Sequence, residues 1–455
     1  MTGYESYEKD MGIALALAEK VAEAGGKAYY VGGFVRDKLM NVPNKDIDIE
    51  VHGLYPSQLE WILDSLGEKI TVGESFGVYG LKGCSIDIAM PRKEEMRGKG
   101  HRDFDICVDP FLGTRKAAMR RDFTINAMMQ DVLTGEIVDE FNGRQDLEMG
   151  VIRHVNDKTF PEGPLRVLRG AQFASRFEYK IAPETINLCS KMDLKYLPKE
   201  RIMGELEKAL LKAEKPSIFF EVLREMGQLD LWFPELRDLI GVKQDPLFHL
   251  EGDVWIHTMM VLDVAVKYRE KAKNPLGFML SAVTHDFGKA ICTEVINGVI
   301  HSYNHETKGL PLIETFMKRL TSENDLIAYV LNMSEHHMKP NVVAFDKSSV
   351  KATNKMFDKS MDPLGLIYLS AADGLGKISS WNHVSNLEFL LERLEVFNEY
   401  MSRPYVMGRD LITAGLKPGE SFADYLAYAH KLRLAGVEKE NALKQTLAYA
   451  RKSKK

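Results

Sequence analysis

The first 150 residues alternate short apolar runs with glycine-rich turns, as in KAYYVGG, DIDIEVHG and FGVYGLKGCSIDIAM. Runs of period two bounded by Gly and Asn predict strands, and ALALAEKVAEAGG predicts a helix stopped by glycine. From about residue 151 the period turns helical. PLRVLRGAQFASRF spaces Leu165, Leu168, Phe173 and Phe177 along one helix, with Arg166, Arg169 and Arg176 among them. LPKERIMGELEKALLK predicts another helix. Residues 241–385 are helical again and carry most of the histidines, and 386–455 read as a charged helical tail. The pattern predicts an α+β chain in four parts: a head at 1–150, an all-α neck at 151–240, a helical domain at 241–385 and a tail at 386–455.

A chain of 455 residues exceeds one compact core. With 45% hydrophobic and 27% charged residues it falls in the globular class, not the disordered one. The 60 basic and 65 acidic residues leave a net charge of −5, so bulk charge is not what would hold a nucleic acid. A local basic face, such as the final ARKSKK, stays open. No uncharged apolar run approaches twenty residues, so no membrane span is expected. The opening MTGYESYEKDMG lacks the basic and apolar regions of a signal peptide. Cys84, Cys107, Cys189 and Cys292 form no CxxC pair and read as reduced thiols of a cytoplasmic protein.

Candidate chemistry concentrates first in YYVGGFVRDKLMNVPNKDIDIEV. A strand runs into Gly32-Gly33, a short helix follows from Phe34, and a second strand carries Asp46 and Asp48. Residues two apart on a strand share a face, and paired carboxylates there suit a divalent metal such as Mg²⁺ together with substrate phosphates. The glycines let backbone N–H groups approach a phosphate, and Arg36 can pair with it. Asp87, in CSIDIAM, either supports the metal or caps an edge strand.

GGFVRDKL followed by DIDI resembles the head of class II tRNA nucleotidyltransferases, the CCA-adding enzymes and bacterial poly(A) polymerases. GHRDFDICVDPFLGTRKAAMRRDFTINAMMQDVLTGEIVDEFNGRQDLEMGVIRHV extends the resemblance. PLRVLRGAQFASRF and KERIMGELEKALL resemble the family's nucleotide-selecting neck, so coverage runs from about 28 to 225. The resemblance implies a polymerase-beta-like head with a mixed sheet. It implies that Asp46 and Asp48 bind catalytic Mg²⁺ and that Gly33 and Arg36 contact the triphosphate. Arg121 and Asp122 would hold the incoming nucleotide near its sugar and phosphates. Arg166 and Arg169 would face it from the neck, Arg166 toward the base edge. One departure stands out. The family's neck reads Glu-Asp-x-x-Arg, whereas this chain reads Glu162-Gly163-Pro164-Leu165-Arg166. Glycine offers no side-chain acceptor to the amino group of C or A; Glu162 or a nearby carbonyl could substitute.

A second constellation follows the neck: DVWIHTMMVLD, SAVTHDFGKA, NHETKG, SEHHMKP and SAADGLGK. Imidazole and carboxylate ligands suit transition metals. The order H…HD…H…HH…D resembles the HD superfamily of metal-dependent phosphohydrolases over about 250–380. It implies His257, His285, Asp286 and Asp373 as first ligands, for an ion such as Ni, Mn or Fe. His305 and His336 or His337 are candidates for a second ion or for phosphate. The expected partners are the tRNA 3′ end, CTP and ATP, with no membrane. The expected function is addition of C and A to tRNA, with an HD phosphatase or phosphodiesterase activity beside it. Alternatives are an A-adding enzyme or poly(A) polymerase, and an HD phosphohydrolase with an inactive, RNA-binding head.

Overall fold

The helix Gly3–Glu23 opens the chain and buries Ala14, Leu17, Ala18 and Val21, the i, i+3, i+4, i+7 stripe of an amphipathic helix. It packs against the helix Pro56–Leu66 and against the head sheet. The computed structural model describes residues 3–71, 78–96, 104–378 and 384–452. Gly100, with which the GHRDFDICV motif begins, lies outside the described residues, as do the next three.

The head strands are β1 Lys27–Val31, β2 Ile47–His52, β3 Lys69–Thr71, β4 Val78–Leu81, β5 Ile86–Ala89, β6 Arg92–Met96, β7 Phe104–Val108, β8 Met129–Asp131 and β9 Ile137–Val138. Seven of them form one sheet in the order β3-β4-β5-β2-β1-β8-β9, while β6 and β7 form a separate antiparallel ribbon. The sheet is mixed: β2 runs parallel to β5 and antiparallel to β1. On β2, Ile47, Ile49 and Val51 are buried on one face. The intervening Asp48, Glu50 and His52 therefore share the other. β2 begins at Ile47, so Asp46 precedes the strand instead of lying on it. Its N–H is bound by the Asn44 side chain at 2.9 Å, a local turn that competes with the ladder.

The chain divides into two compact units, one made of 1–209 and 218–231, the other of 210–217 and 232–455. The first holds the head and the helix Leu165–Phe177. The second is built on the helices Val254–Ala265, Pro275–Thr284, Asn324–His336 and Pro363–Leu375, which pack on one another. Three of these four start on side-chain caps, Asp253, Asn274 and Asp362, each accepting an N–H of the first turn. The helix Val384–Ser402 shares a core with the helices Val350–Lys359 and Pro363–Leu375, Leu390, Leu394 and Phe397 clustering with Met356, Phe357 and Ile367. The last helices close a smaller core around Leu411, Tyr425 and Ala442. No described helix is long and apolar enough to cross a membrane, and all four cysteines are free.

Candidate functional site

Asp48 and Asp87 face each other as register partners on the parallel strands β2 and β5. With Glu50, Arg92, Arg120 and Arg121 they line a cleft of about 350 Å³. Burial pushes the Asp48 carboxyl up to about 6; Arg121 opposes this, while Asp87 and Asp46 add to it. Gly32 supplies the close approach. Its φ is 66°, and a Cβ there would lie 3.2 Å from Arg121 Nη1 and 3.6 Å from Asp48 Oδ2. The carboxylates thus sit where a divalent cation would relieve their mutual repulsion, and the donor set is oxygen, as Mg²⁺ prefers.

Arg36, Asp122 and Arg169 make their bonds within the protein. Arg36 is only 3% exposed. Its Nε donates to Asp37 at 2.8 Å and its Nη1 to Asn126 at 2.6 Å, and its guanidinium lies over the rings of Phe173 and Phe177 at 5.3 and 4.8 Å. Arg36 is therefore enclosed. Gly33 sits against it, since a Cβ would meet Arg36 Nη2 at 3.3 Å. Asn126 continues the chain of bonds by donating to Asp122 Oδ1, and Arg169 Nε donates to Asp122 Oδ2 at 2.7 Å. Burial alone would raise the Asp122 carboxyl. The Arg169 charge, together with bonds from Asn126, Arg169 and the Phe123 N–H, holds it below its ordinary value. Asp37, Arg36, Asn126, Asp122 and Arg169 form one network, and it fastens the helix Leu165–Phe177 to the head. A buried ion pair with all its donors placed fixes geometry more than it adds stability.

Arg166 differs again. Nη1 donates to the carbonyl of Thr159 at 2.6 Å and Nη2 to that of Arg120 at 2.6 Å, so the fork is taken up by backbone. Gly163 packs against this side chain; a Cβ there would sit 3.1 Å from Arg166 Nε. Glu162 is paired with Arg120 at 2.9 Å.

In the second unit the fold gathers the histidines. His257 lies on the helix Val254–Ala265, and His285 and Asp286 end the helix Pro275–Thr284. His337 ends Asn324–His336, and Asp373 lies in Pro363–Leu375. His257, His285 and Asp373 form one group able to hold an ion, and Asp286, His305 and His337 a second. Asp286 Oδ1 is 3.2 Å from His305 Nε2 and Oδ2 is 3.3 Å from His285 Nε2, so this carboxylate stands between the groups. The Nδ1 atoms of His285, His305 and His337 lie on the carbonyls of Ala282, Ser302 and Ser334 at 2.6–2.9 Å. A ring that donates Nδ1–H to a carbonyl presents Nε2 as a lone pair, the tautomer a metal needs. Burial alone would raise Asp286, but His285 and Lys289 beside it hold it well below the carboxylate range. Burial, with His285 and His305 nearby, takes His337 down to about 3, so its ring is neutral. Gly288 permits the approach of His305, whose carbonyl would lie 2.0 Å from a Cβ there. His336 is not in either group; its Nδ1 takes a bond from Lys339 at 3.0 Å.

The sequence reading missed three residues beside this cluster. Glu251 Oε1 lies 3.2 Å from His257 Nδ1 and 2.8 Å from His249 Nδ1, and its other oxygen accepts from the Ile378 N–H. Lys289 Nζ is 2.8 Å from Asp286 Oδ2. The pair HxE in FHLEGD was a usable signal for His249 and Glu251; Lys289 follows directly on HDFG.

A mixed-sheet head with an acidic cleft, fastened to a helical neck and followed by a histidine-rich bundle, defines a nucleotidyltransferase architecture. A family profile described as "Poly A polymerase head domain" matches residues 28–153, and one described as "Probable RNA and SrmB- binding site of polymerase A" matches 178–240. The chain is 38% identical over 316 residues to a Multifunctional CCA protein of Actinobacillus pleuropneumoniae, covering 68% of this chain and 74% of that one. It is 39% identical to that of Mannheimia succiniciproducens over 302 residues, 65% of this chain and 70% of the relative. In fold it is similar to the Thermotoga maritima CCA-adding enzyme complexed with tRNA, at 20% identity and a TM-score of 0.64 over 96% of this chain and 95% of the other. The Bacillus stearothermophilus CCA-adding enzyme in complex with CTP gives 19% identity and a TM-score of 0.65 over 98% of both chains. The chain belongs to the class II CCA-adding enzyme family.

Proposed function

We infer that this chain is a tRNA nucleotidyltransferase that adds C and A to the tRNA 3′ end from CTP and ATP, in the cytoplasm. The observation that carries the reading is the cleft in which Asp48 and Asp87 face one another beside Arg121. In the reaction the terminal 3′ hydroxyl of the RNA attacks the α-phosphate of the nucleotide. A new P–O bond forms, the bond to the leaving pyrophosphate breaks, and the hydroxyl proton is lost. Asp48, with Asp87 and Asp46 nearby, would hold Mg²⁺. Bound there, the ion supplies charge neutralisation and a more acidic hydroxyl. Arg121, projecting beside Gly32, would receive the triphosphate. Arg36, Asp122 and Arg169 would set the distance between cleft and neck, and Arg166 would order the Thr159–Phe160 turn next to it.

The histidine cluster supports a second reading for the second unit, that of an HD phosphohydrolase acting on a phosphomonoester or cyclic phosphate. His257, His285 and Asp373 would hold one transition metal ion, and Asp286, His305 and His337 another. A mixed imidazole and carboxylate set suits Ni, Mn or Fe. The fold itself does not choose the substrate. Radiolabelled extension of tRNAs ending at the discriminator base, at C and at CC, with single nucleotides, tests the transferase reading. Ordered addition of C, C and A is expected. Addition of A alone, to the CC end only, would identify an A-adding enzyme; no addition would refute the reading.

A further inference from the structure

Glu50 and His52 have no task in the reaction above, yet both are buried on the cleft face of β2, directly after Asp48. Residues two apart on a strand point the same way, so the three side chains form a row. Glu50 divides its oxygens. Oε1 lies 2.8 Å from His52 Nε2, and Oε2 accepts from Arg121 Nη2 at 3.2 Å. His52 is itself held, its ring edge-on to Tyr29 with centroids 5.3 Å apart. The other end of the Arg121 fork, Nη1, faces Gly32, and Asp48 Oδ2 lies at the same glycine. The Arg121 guanidinium therefore has two carboxylate neighbours, and the hydrogen bond goes to the deeper one.

We propose that Glu50, braced by His52, is a positioning residue that holds Arg121 aside from Asp48 and aims it into the cleft at the phosphates of the incoming nucleoside triphosphate. The proposal rests on reading the head as the transferase centre. A guanidinium released from Glu50 has Asp48 as its remaining carboxylate neighbour. Pairing there covers an oxygen that the metal needs and turns the forked donors away from phosphate. Loss of Glu50 therefore weakens metal and nucleotide together, although Glu50 touches neither.

The test is a double-mutant cycle on the full chain, read by calorimetric binding of Mg·CTP to wild type, Glu50→Gln, Arg121→Ala and the double variant. Glu50→Gln is expected to weaken binding by about tenfold or more, the worth of a hydrogen bond to a charged group. In the Arg121→Ala background the same change is expected to be nearly silent. In addition assays the Mg²⁺ concentration for half-maximal rate rises in Glu50→Gln, while the rate at saturating Mg²⁺ and nucleotide falls far less. A merely structural role would not move the Mg²⁺ midpoint. Equal losses in both backgrounds, or an unchanged midpoint, would overturn the proposal. If Glu50→Gln does not fold, His52→Gln serves in its place, with the same signs and smaller size, and the same two outcomes decide. A wild type that binds Mg·CTP but adds no nucleotide would refute the transferase reading, and the binding cycle would still decide the role of Glu50.

Discussion

In the head, carboxylate stands against carboxylate; in the helical bundle, carboxylates stand among imidazoles and a lysine. Asp48 is pushed up to about 6 by burial and by acidic neighbours, in a cleft with an opening to solvent. Asp286 is only 1% exposed and is held far down by His285 and Lys289 despite that burial. The first arrangement is unfavourable until a cation arrives, and Mg²⁺ that enters with a triphosphate is such a cation. The second is already balanced by the protein and buried, which suits an ion that stays. The contrast separates a site whose carboxylates lack countercharge from one whose carboxylates are already balanced by neighbouring side chains.

The contrast breaks first at Asp48. Asp48→Asn is expected to reduce nucleotide addition by at least about a hundredfold, since metal stabilisation is worth several kcal/mol. Metal bound by the bundle should be unchanged. The check is single-turnover addition of A to a tRNA ending in CC, beside metal content by mass spectrometry. Near-normal addition in Mg²⁺ would remove Asp48 from the centre.

The reciprocal change is His285→Ala with Asp286→Ala. It should abolish any metal-stimulated phosphatase or phosphodiesterase activity and lower bound transition metal, while nucleotide addition continues. Loss of addition in the folded double variant would show that the two centres are not separable. Within the cluster, His337→Ala should cost metal and His336→Ala should not, because only His337 points its Nε2 toward Asp286, at 3.9 Å.

Much of the bundle was legible because its imidazoles and carboxylates announce themselves by residue type. Asp253, Asn274-Pro275 and Asp362-Pro363 are cap signals that need no tertiary information. The head was legible in its strands and in the place of Asp48, which stands beside a second carboxylate. What the sequence could not show was how the arginines would be used. Arg36, Asp122, Asn126 and Arg169 meet only because the fold brings distant segments together. A motif arginine looks the same on paper whether it reaches for phosphate or is spent on a carboxylate. Glu251 had a local signal in HxE, but its partners, His257 and the Ile378 N–H, are set by packing.

A smaller effect tests the electrostatic half of the contrast in the metal-free protein. Asp48 has a folded pKa above its unfolded value of 3.8. Such a group favours the folded state below the unfolded pKa, and this contribution is lost as pH rises through about 6. Asp48→Asn removes that dependence. In EDTA at pH 8 the variant should therefore be more stable than wild type, by about 1–3 kcal/mol. The advantage should shrink steadily as pH falls from 6 toward 4. Denaturant melts at several pH values read this directly. A variant less stable at pH 8, or equally shifted at all pH values, would show that Asp48 is not under electrostatic strain.

The smallest expected effect lies at the neck, where Gly163 stands in place of the aspartate that the resemblance implies. Gly163 itself offers Arg166 no carboxylate, and Arg166 is engaged by the carbonyls of Thr159, Phe160 and Arg120. Glu162, the other candidate acceptor, is paired with Arg120. Introducing Gly163→Asp places a Cβ 3.1 Å from Arg166 Nε and 3.2 Å from its Cδ, so the arginine must give by a few tenths of an ångström. A flexible side chain can do this, and the φ of −117° at Gly163 accepts an L-residue. The new carboxylate can then draw the guanidinium off its carbonyls and present one acceptor and one forked donor set, which match the amino group and ring nitrogen shared by C and A. One added hydrogen bond is worth roughly 0.5–1.5 kcal/mol, a gain of about two- to tenfold in preference for CTP and ATP over UTP. Single-turnover incorporation of each nucleotide on tRNAs ending in C and CC measures it. Wild type should still add both C and A, and an unchanged ratio in the Gly163→Asp protein would place base choice outside the Gly163–Arg166 contact.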